Sequence, residues 1–360
     1  MNQSVKLSSF SEDRDAHSRD EAHIVYASDD KFAEILGVSM VSLFENSMDI
    51  DISLYILDSG ITAANKEKLE AVCKSYMRKS PIWIEAKDIS KELSMEVAVD
   101  RGSLSQYARL FLSGCLPEGL SRVLYLDCDI LINHSIRELW NLDLHGKTIA
   151  ALMDAFSKAY RRNIDLNPDD IMFNSGVMLL DLDKWRRDNV EKKLISFITR
   201  KNGRIQQGDQ GALNAVLSHD TYCFEPKMNA VTIYFDFTYD ELLTYRKPPR
   251  FYTREQIEET VKDPYVIHFT TSFASYRPWV EGCHHRYVGE WLKYKRLSPW
   301  KDEPLREYKQ NGLKGIYIRI AGLIPRKVMI VVSGWLQAYG RPWMKRLFLS
   351  SSKIKQGGKL

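Results

Sequence analysis

No C-x-x-C pair occurs in the 360 residues, and the five cysteines (Cys73, Cys115, Cys128, Cys223, Cys283) are scattered and odd in number. That pattern argues against a zinc site or a disulfide framework and fits a reducing compartment. Residues 1–22 lack any apolar stretch, so they read as a flexible extension and not as a signal peptide. The longest apolar run near the tail, VMIVVSGWLQAY from Val328, is too short to cross a bilayer. There is no internal repeat and no long low-complexity linker. G-x-G-x-x-G and G-x-x-x-x-G-K-[ST] are both missing, which disfavours NAD binding and P-loop chemistry.

Acidic residues are missing from one region. Between Tyr308 and Leu360 there are 11 Lys and Arg and no Asp or Glu. The first 307 positions therefore hold 40 basic against 47 acidic residues, a net of −7 inside an overall +4. An acidic body with a basic tail points to an anionic partner for the tail. Tyr317, Ile318, Ile320, Leu323, Trp335, Tyr339 and Trp343 alternate there with the cations. The expected element is a helix with an apolar, aromatic face and a basic face, lying on an anionic leaflet. The competing reading packs the same apolar residues onto the body.

What remains is an ordinary globular composition, 44% hydrophobic and 27% charged, long enough for one large domain with appendages or for two domains. HIVYAS (23–28) and DISLYILD (51–58) read as strands. Residues 29–46, 62–80 and a stretch around SQYARLFLSGCL (105–116) read as helices. TIAALMD ends at Asp154, FNSGVMLLDLDKWRR starts a strand that feeds a helix, and QQGDQGALNAVL (206–217) is a loop leading into a short helix. YVIHFTTSFASYRPW (265–279) is a strand followed by a loop. This alternation predicts βαβ units and a mainly parallel sheet, whose ligands sit at the carboxyl ends of strands.

Several polar residues fall at such ends. VLYLDCDILI (123–132) reads as a core strand, and Asp127 and Asp129, two apart, then share a face. Buried carboxylates need partners, and two converging ones suit a divalent cation. His268 ends another strand. It is either a satisfied core histidine or a third ligand, and imidazole suits Mn²⁺ better than Mg²⁺ or Ca²⁺. Asp29 and Asp30 are either helix N-caps or contacts for a nucleotide in the first β-α turn. Cys283-His284-His285 tempts a metal reading, but three adjacent side chains rarely converge on one ion. Arg109, Arg277 and a metal at the aspartates could together neutralise a diphosphate.

YLDCDILI, FNSGVMLLDLDKWR, GDQGALN and IHFTT…RPW stand in the order of the family 8 retaining glycosyltransferases, and the chain resembles that family over roughly residues 23–290. The family includes bacterial lipopolysaccharide galactosyl- and glucosyltransferases and is related to glycogenin. HIVYASDDKF and YARLFL are similar to its first strand and its arginine-bearing helix. The resemblance implies an α/β fold of the GT-A type over residues 23–300, with a mainly parallel sheet. Residues 1–22 precede it, and 301–360 form a basic, aromatic, helical extension that associates with membranes. It implies transfer of a hexose from UDP-galactose or UDP-glucose to a glycan acceptor, with a lipid-linked acceptor as one option, in the cytoplasm on the inner face of the membrane. No nucleic acid partner is expected.

Residue by residue, the resemblance makes Asp127, Asp129 and His268 the ligands of Mn²⁺, with Mg²⁺ as the other candidate ion. Ala27 and Asp29 are similar to uridine contacts, and Arg109, Asp154 and Asn174 to residues that hold the donor sugar. Asp209 and Gln210 match the pair beside the anomeric carbon. Two positions depart from the family pattern. The loop after His268 is three residues longer and ends in Arg277-Pro278-Trp279 instead of Lys-Pro-Trp, and Lys31 stands where asparagine is frequent. Both cations are expected near the diphosphate. Retention requires either a covalent intermediate, for which Asp209 is chemically the better nucleophile, or attack on the face of departure, which is the favoured expectation. A nucleotidyltransferase acting on a sugar phosphate is a competing class, disfavoured by Asn174, GDQG and HFTT…RPW. A catalytically silent binding module is another.

Overall fold

Parallel strands cannot be joined by a hairpin, so a chain that starts strand, helix, strand, helix, strand has to cross over between neighbours. In the computed structural model, which describes residues 21–98, 104–271, 276–307 and 324–351, it does so from its first described residue. Strands β1 (Glu21–Ser28), β2 (Asp51–Asp58) and β3 (Ile82–Glu85) pair in parallel, with helices Ala33–Asn46 and Ala63–Ser75 between them. β4 (Arg122–Leu126) lies on the other side of β1. The seven-stranded sheet then continues through β7 (Phe173–Asp181) and β6 (Ile149–Met153) to β8 (Thr221–Cys223). Only β7 runs against its neighbours, so the sheet is mainly parallel. Apolar layers cover both faces: Ile24 and Tyr26 point into one and Val25 into the other.

The segment 123–132 is not one strand. β4 ends at Leu126, and β5 (Ile130–Ile132) belongs to a second, three-stranded sheet with β10 (Val266–His268) and β9 (Ala230–Val231). Asp127-Cys128-Asp129 is the corner between the sheets. A ladder flanked by apolar layers on both faces has no place for carboxylates, and the corner turns them out of it. The backbone of the corner is stitched to both sides: Asp127 N–H donates to Gly176 O (2.7 Å) and Phe269 N–H donates to Asp129 O (2.9 Å). The aspartates share a side because the chain bends, and the period of two plays no part.

The second helix is also shorter than its amphipathic stretch. It ends at Ser75, Met77 turns left-handed (φ 52°), and Arg78 N–H closes back on Cys73 O (2.9 Å). The Arg78 guanidinium is caught by the carbonyls of Ile50 and Ser47 (2.9 and 2.8 Å), a long-range anchor that pulls the chain off the helix axis.

Residues up to Arg306 are tied to the body. Trp300 packs where a side chain on Gly37 would stand, since a Cβ there would lie 2.2 Å from its ring, and Arg306 donates to Lys31 O (2.6 Å). Of the tail, the described part is a helical rod: Arg326–Trp335, one wide π turn at Leu336–Gly340, then Arg341–Ser351. Pro342 has no N–H for the carbonyl one turn back, Ala338 O. That carbonyl instead accepts from Ser157 Oγ (2.5 Å), and Gln337 O accepts from Tyr160 OH (3.1 Å). The rod is thus docked on the body, with Ile330 and Ala338 buried, while Trp335, Tyr339, Trp343 and Leu347 are exposed. Arg326 pairs with Glu241, Arg341 and Lys345 line the body's cleft, and Arg326, Lys327, Arg341 and Arg346 are exposed. Residues 1–20 of the N-terminal extension, and Tyr317, Ile318, Ile320 and Leu323 of the tail, lie outside the described residues.

Candidate active site

A cleft of ≈ 630 Å³ opens at the carboxyl ends of β1 and β4, past the end of β6, and at the amino end of the antiparallel β7. Each element delivers side chains to it, most of them polar. Ala27 and Asp29 come from the end of β1, Asp127 and Asp129 from the corner, Asp154 from the end of β6, and Asn174 from the start of β7. Asp209 and Gln210 sit in the first turn of helix Gly208–Leu217. His268 closes β10, and Arg277 follows from the loop whose residues 272–275 lie outside the described ones.

Asp127, Asp129 and His268 offer ligand atoms that all lie within 4.8 Å of one another. His268 Nδ1 is 3.0 Å from Asn229 Oδ1, an oxygen that can only accept, so Nδ1 carries the proton. In the neutral ring Nε2 is then the ligand atom. It is buried without a hydrogen-bond partner and faces Asp129 Oδ1 at 3.3 Å and Asp127 Oδ2 at 3.8 Å. Two carboxylates and an imidazole nitrogen converging on one point suit a cation between them, and an imidazole oriented from its far nitrogen is how metal-binding histidines are held. The mixed N/O donor set fits Mn²⁺. Gly176 leaves the room: a Cβ there would lie 2.3 Å from His268 Cε1 and 2.8 Å from Asp127 Oδ2.

The remaining charges of this end interlock. Arg109 comes from the eight-residue 3₁₀ helix Leu104–Phe111, longer than such helices usually run. Its Nη2 is 2.7 Å from Asp127 Oδ1, its Nε is 3.1 Å from Asp209 Oδ2, and Nη1 donates to Ser175 O (2.8 Å). Its plane lies 4.5 Å from the Tyr125 ring centre. Burial alone would lower its pKa, but Asp127, Tyr125 and Asp209 outweigh that and hold it above the usual guanidinium range. Arg277 Nη1 is 3.0 Å from Asp129 Oδ2. Burial raises the Asp154 carboxyl above the ordinary range, opposed by Arg246, the Ala155 N–H, Asn174 and Gln210. The bonds of Gln210, from its Nε2 to Asp154 Oδ2 and from Ser175 N–H to its Oε1, are both long at 3.4 Å.

Other expected residues land elsewhere. Asp29 lines the cleft and is also an N-cap, its Oδ1 accepting from Phe32 N–H (3.2 Å). Asp30 turns away to Thr62 and Asn65. Lys31 is exposed and does not line the cleft, because the short turn Asp30–Phe32 that brings Phe32 in carries Lys31 out. Cys283, His284 and His285 do not converge: Cys283 Sγ donates to Tyr276 O (3.0 Å), and burial pushes His285 down to about 4. Asn229, Gly176, Arg246, Arg341 and Lys345 escaped the sequence reading. Of these only Gly176 carried a signal, a glycine inside an apolar strand.

Residues 23–283 match the family described as Glycosyl transferase family 8. General stress protein A of Bacillus subtilis (strain 168) is 30% identical over 77% of this chain and 94% of its own length. A lipopolysaccharide 1,2-glucosyltransferase of Escherichia coli (strain K12) is 24% identical over 80% of this chain and 81% of its own. Among solved structures, the galactosyltransferase LgtC in complex with donor and acceptor sugar analogs superposes with a TM-score of 0.65 at 23% identity, covering 77% of this chain and 96% of that one. The sheet, its crossovers and the cleft at its carboxyl edge are thus those of a GT-A fold, and the chain belongs to glycosyl transferase family 8.

Proposed function

We propose that this cleft transfers a hexose, galactose or glucose, from a UDP-sugar to a cell-envelope glycan with retention at the anomeric carbon, and that it depends on a divalent cation held by Asp127, Asp129 and His268. The observation that carries this reading is the orphaned Nε2 of His268 facing two carboxylates. Bound there, Mn²⁺, or Mg²⁺ in its place, would supply Lewis-acid charge for the departing diphosphate. Arg277 stands beside the same carboxylates and adds fixed positive charge. Ala27 and Asp29, which line the cleft at the end of the first strand, would take the nucleoside. Asn174 and Asp154 present hydrogen-bonding groups to the sugar.

Arg109 bears on the choice of route. It holds Asp209 Oδ2 through its Nε, and a carboxylate paired with a buried guanidinium is a poorer nucleophile. That supports attack on the face of departure, with the departing phosphate oxygen taking the acceptor's proton. Gln210, whose present bonds are long, is free to turn its amide oxygen to the positive charge that develops on the sugar.

The exposed aromatic face of the rod, with Trp335, Tyr339 and Trp343, would rest on the inner face of the cytoplasmic membrane. Among the described residues no helix is long and apolar enough to cross one. Each basic tail residue near an anionic leaflet adds on the order of 1 kcal/mol. The test is UDP release from UDP-galactose and UDP-glucose with Mn²⁺ and with chelator, followed by identification of the acceptor among envelope glycans. Metal-dependent release from one donor is expected, and no release from either overturns the reading. For the membrane, the Trp335→Ser/Trp343→Ser chain should lose binding to phosphatidylglycerol vesicles that the native chain binds at low salt. Equal binding by both chains removes the rod from that role.

A further inference from the structure

Beyond the proposed donor contacts, the same cleft is lined by Arg246, Arg341 and Lys345, together with Gln337. These cations differ from those at the metal. Arg246 ends helix Tyr239–Arg246, and its guanidinium lies 5.4 Å from the Phe156 ring centre and 5.5 Å from that of Tyr245. Its Nε is buried with no hydrogen-bond partner. Among the described residues neither Arg246 nor Arg341 has a carboxylate within ion-pair distance; the one polar contact of Arg341 is a long one, 3.5 Å, to Gln337 Oε1. A guanidinium that lines a cleft with no carboxylate partner and a buried, unbonded Nε is under-satisfied, and an anion in the cleft would supply the missing acceptor oxygens.

The rod is built to bring its share. In an α-helix each step of four residues drifts by about 40°. The wide turn at Leu336–Gly340, where Arg341 N–H reaches back to Leu336 O, rotates its residues by less and offsets that drift. Gln337, Arg341 and Lys345 therefore stay on one face, the one turned to the cleft. Their place relative to the metal follows from a chain of contacts. His268 bonds Asn229, Asn229 bonds Asn174, and Asn174 and Gln210 bond Asp154, on which Arg246 acts in turn. In that chain the residues proposed for the donor sugar stand between Arg246 and the proposed metal ligands, so an acceptor meeting the sugar from the other direction would meet the cations. Phe156, Tyr160 and Tyr245 border the same end of the cleft.

We propose that the acceptor carries a phosphoryl group, which docks on Arg246, Arg341 and Lys345. Two planar guanidiniums and an ammonium match its oxygens, the guanidiniums with paired bonds. The inference rests on the cleft being a sugar-transfer site, and it names the class of substrate that enters from the rod side.

The test compares galactose with galactose 6-phosphate, binding to the full chain with UDP and Mn²⁺ present so that the metal end is filled. The phosphate ester should bind at least tenfold tighter. Arg246→Gln and Arg341→Gln should each cut that advantage at least fivefold, while Arg246→Lys and Arg341→Lys keep most of it. Inorganic phosphate should compete with the ester in the native chain only. Equal binding of the two sugars, or an advantage that survives both glutamine variants, overturns the proposal. So does a result in which Arg341→Gln weakens phosphatidylglycerol vesicle binding and leaves the ester untouched, because the phosphate recognised is then a lipid headgroup. Failure of the underlying reading looks different: the native chain would release no UDP from any UDP-hexose, whatever it does with the ester.

Discussion

The two ends of the cleft are both rich in charge, yet they are assembled on opposite principles. At the metal end Arg109 is shared by Asp127 and Asp209, Arg277 is set against Asp129, and His268 is oriented by Asn229. At the rod end Arg246 has a buried nitrogen with nothing to bond, and Arg341 reaches only a glutamine. Buried charge is tolerated when it is paired, so at the first end the protein itself pairs the charged groups and leaves His268 Nε2 for a cation, while the second end leaves its cations themselves to be paired by what it binds. A preorganised end should respond to single substitutions with large losses of turnover. An end completed by its ligand should respond with changes in selectivity.

The sharpest way to break this contrast is Asp129→Asn, which removes charge at nearly constant shape. Turnover should fall about a thousandfold while the thermal midpoint stays within a few degrees. Full activity of that variant in chelator would show that the end is not organised around a cation. Next, Asp209→Asn should cost about a hundredfold, since it also unties Arg109, and Gln210→Ala about tenfold, as expected of a group that only stabilises charge. A glycosylated peptide trapped on either residue during turnover would replace same-face attack by a covalent route. Gly176→Ala forces a methyl against His268 and Asp127. Mn²⁺ affinity, measured by calorimetry, should drop about tenfold or more, and unchanged affinity would mean the corner has slack.

The smallest expected effect lies on the rod. Arg326 makes paired bonds to Glu241 (2.8 and 2.9 Å), and this hydrogen-bonded partner holds the Glu241 carboxyl down at about 2. The unfolded value is the ordinary 4.5, so the pair's contribution is present above pH 4.5 and is lost as pH falls through about 2. Glu241→Gln should cost about 1 kcal/mol at neutral pH and flatten the acid unfolding curve in that window. Asp154 carries the opposite sign. Its folded pKa is raised by burial, so its contribution is present at low pH and lost as pH rises through that value. Asp154→Asn should therefore stabilise the neutral protein even as it harms donor binding, and a destabilised Asp154→Asn protein would contradict the assignment of cause.

How far the sequence reaches follows from the range of the forces involved. DISLYILD coincides with β2 because its pattern and its flanking turns are local. That Asp127, Asp129, Asp154 and His268 come to one cleft was foreseeable because polar residues ending apolar runs are conspicuous within ten positions. The bend at Asp127–Asp129 was not, since an apolar run reads alike whether it stays in one sheet or passes to a second. The end of the helix at Ser75 depends on Arg78 reaching Ser47 and Ile50, and the outward turn of Lys31 depends on how the short turn Asp30–Phe32 is wound. The approach of Arg341 and Lys345 to the cleft depends on the wide turn and on the bond from Ser157 to Ala338, 181 positions apart, which cannot be read locally.

The bend at the aspartates also makes the proposed cation site a joint. Asp127 leaves the large sheet, Asp129 opens the small one, and His268 closes a strand that belongs only to the small one. An ion gripped by all three would rivet the two sheets together, so that removing it loosens the molecule along a seam as well as stopping its chemistry. Occupancy would then be legible as cohesion: at a hundred times its dissociation constant a bound ion adds about 2.7 kcal/mol to the folded state, and the seam is where the protein would begin to part without it.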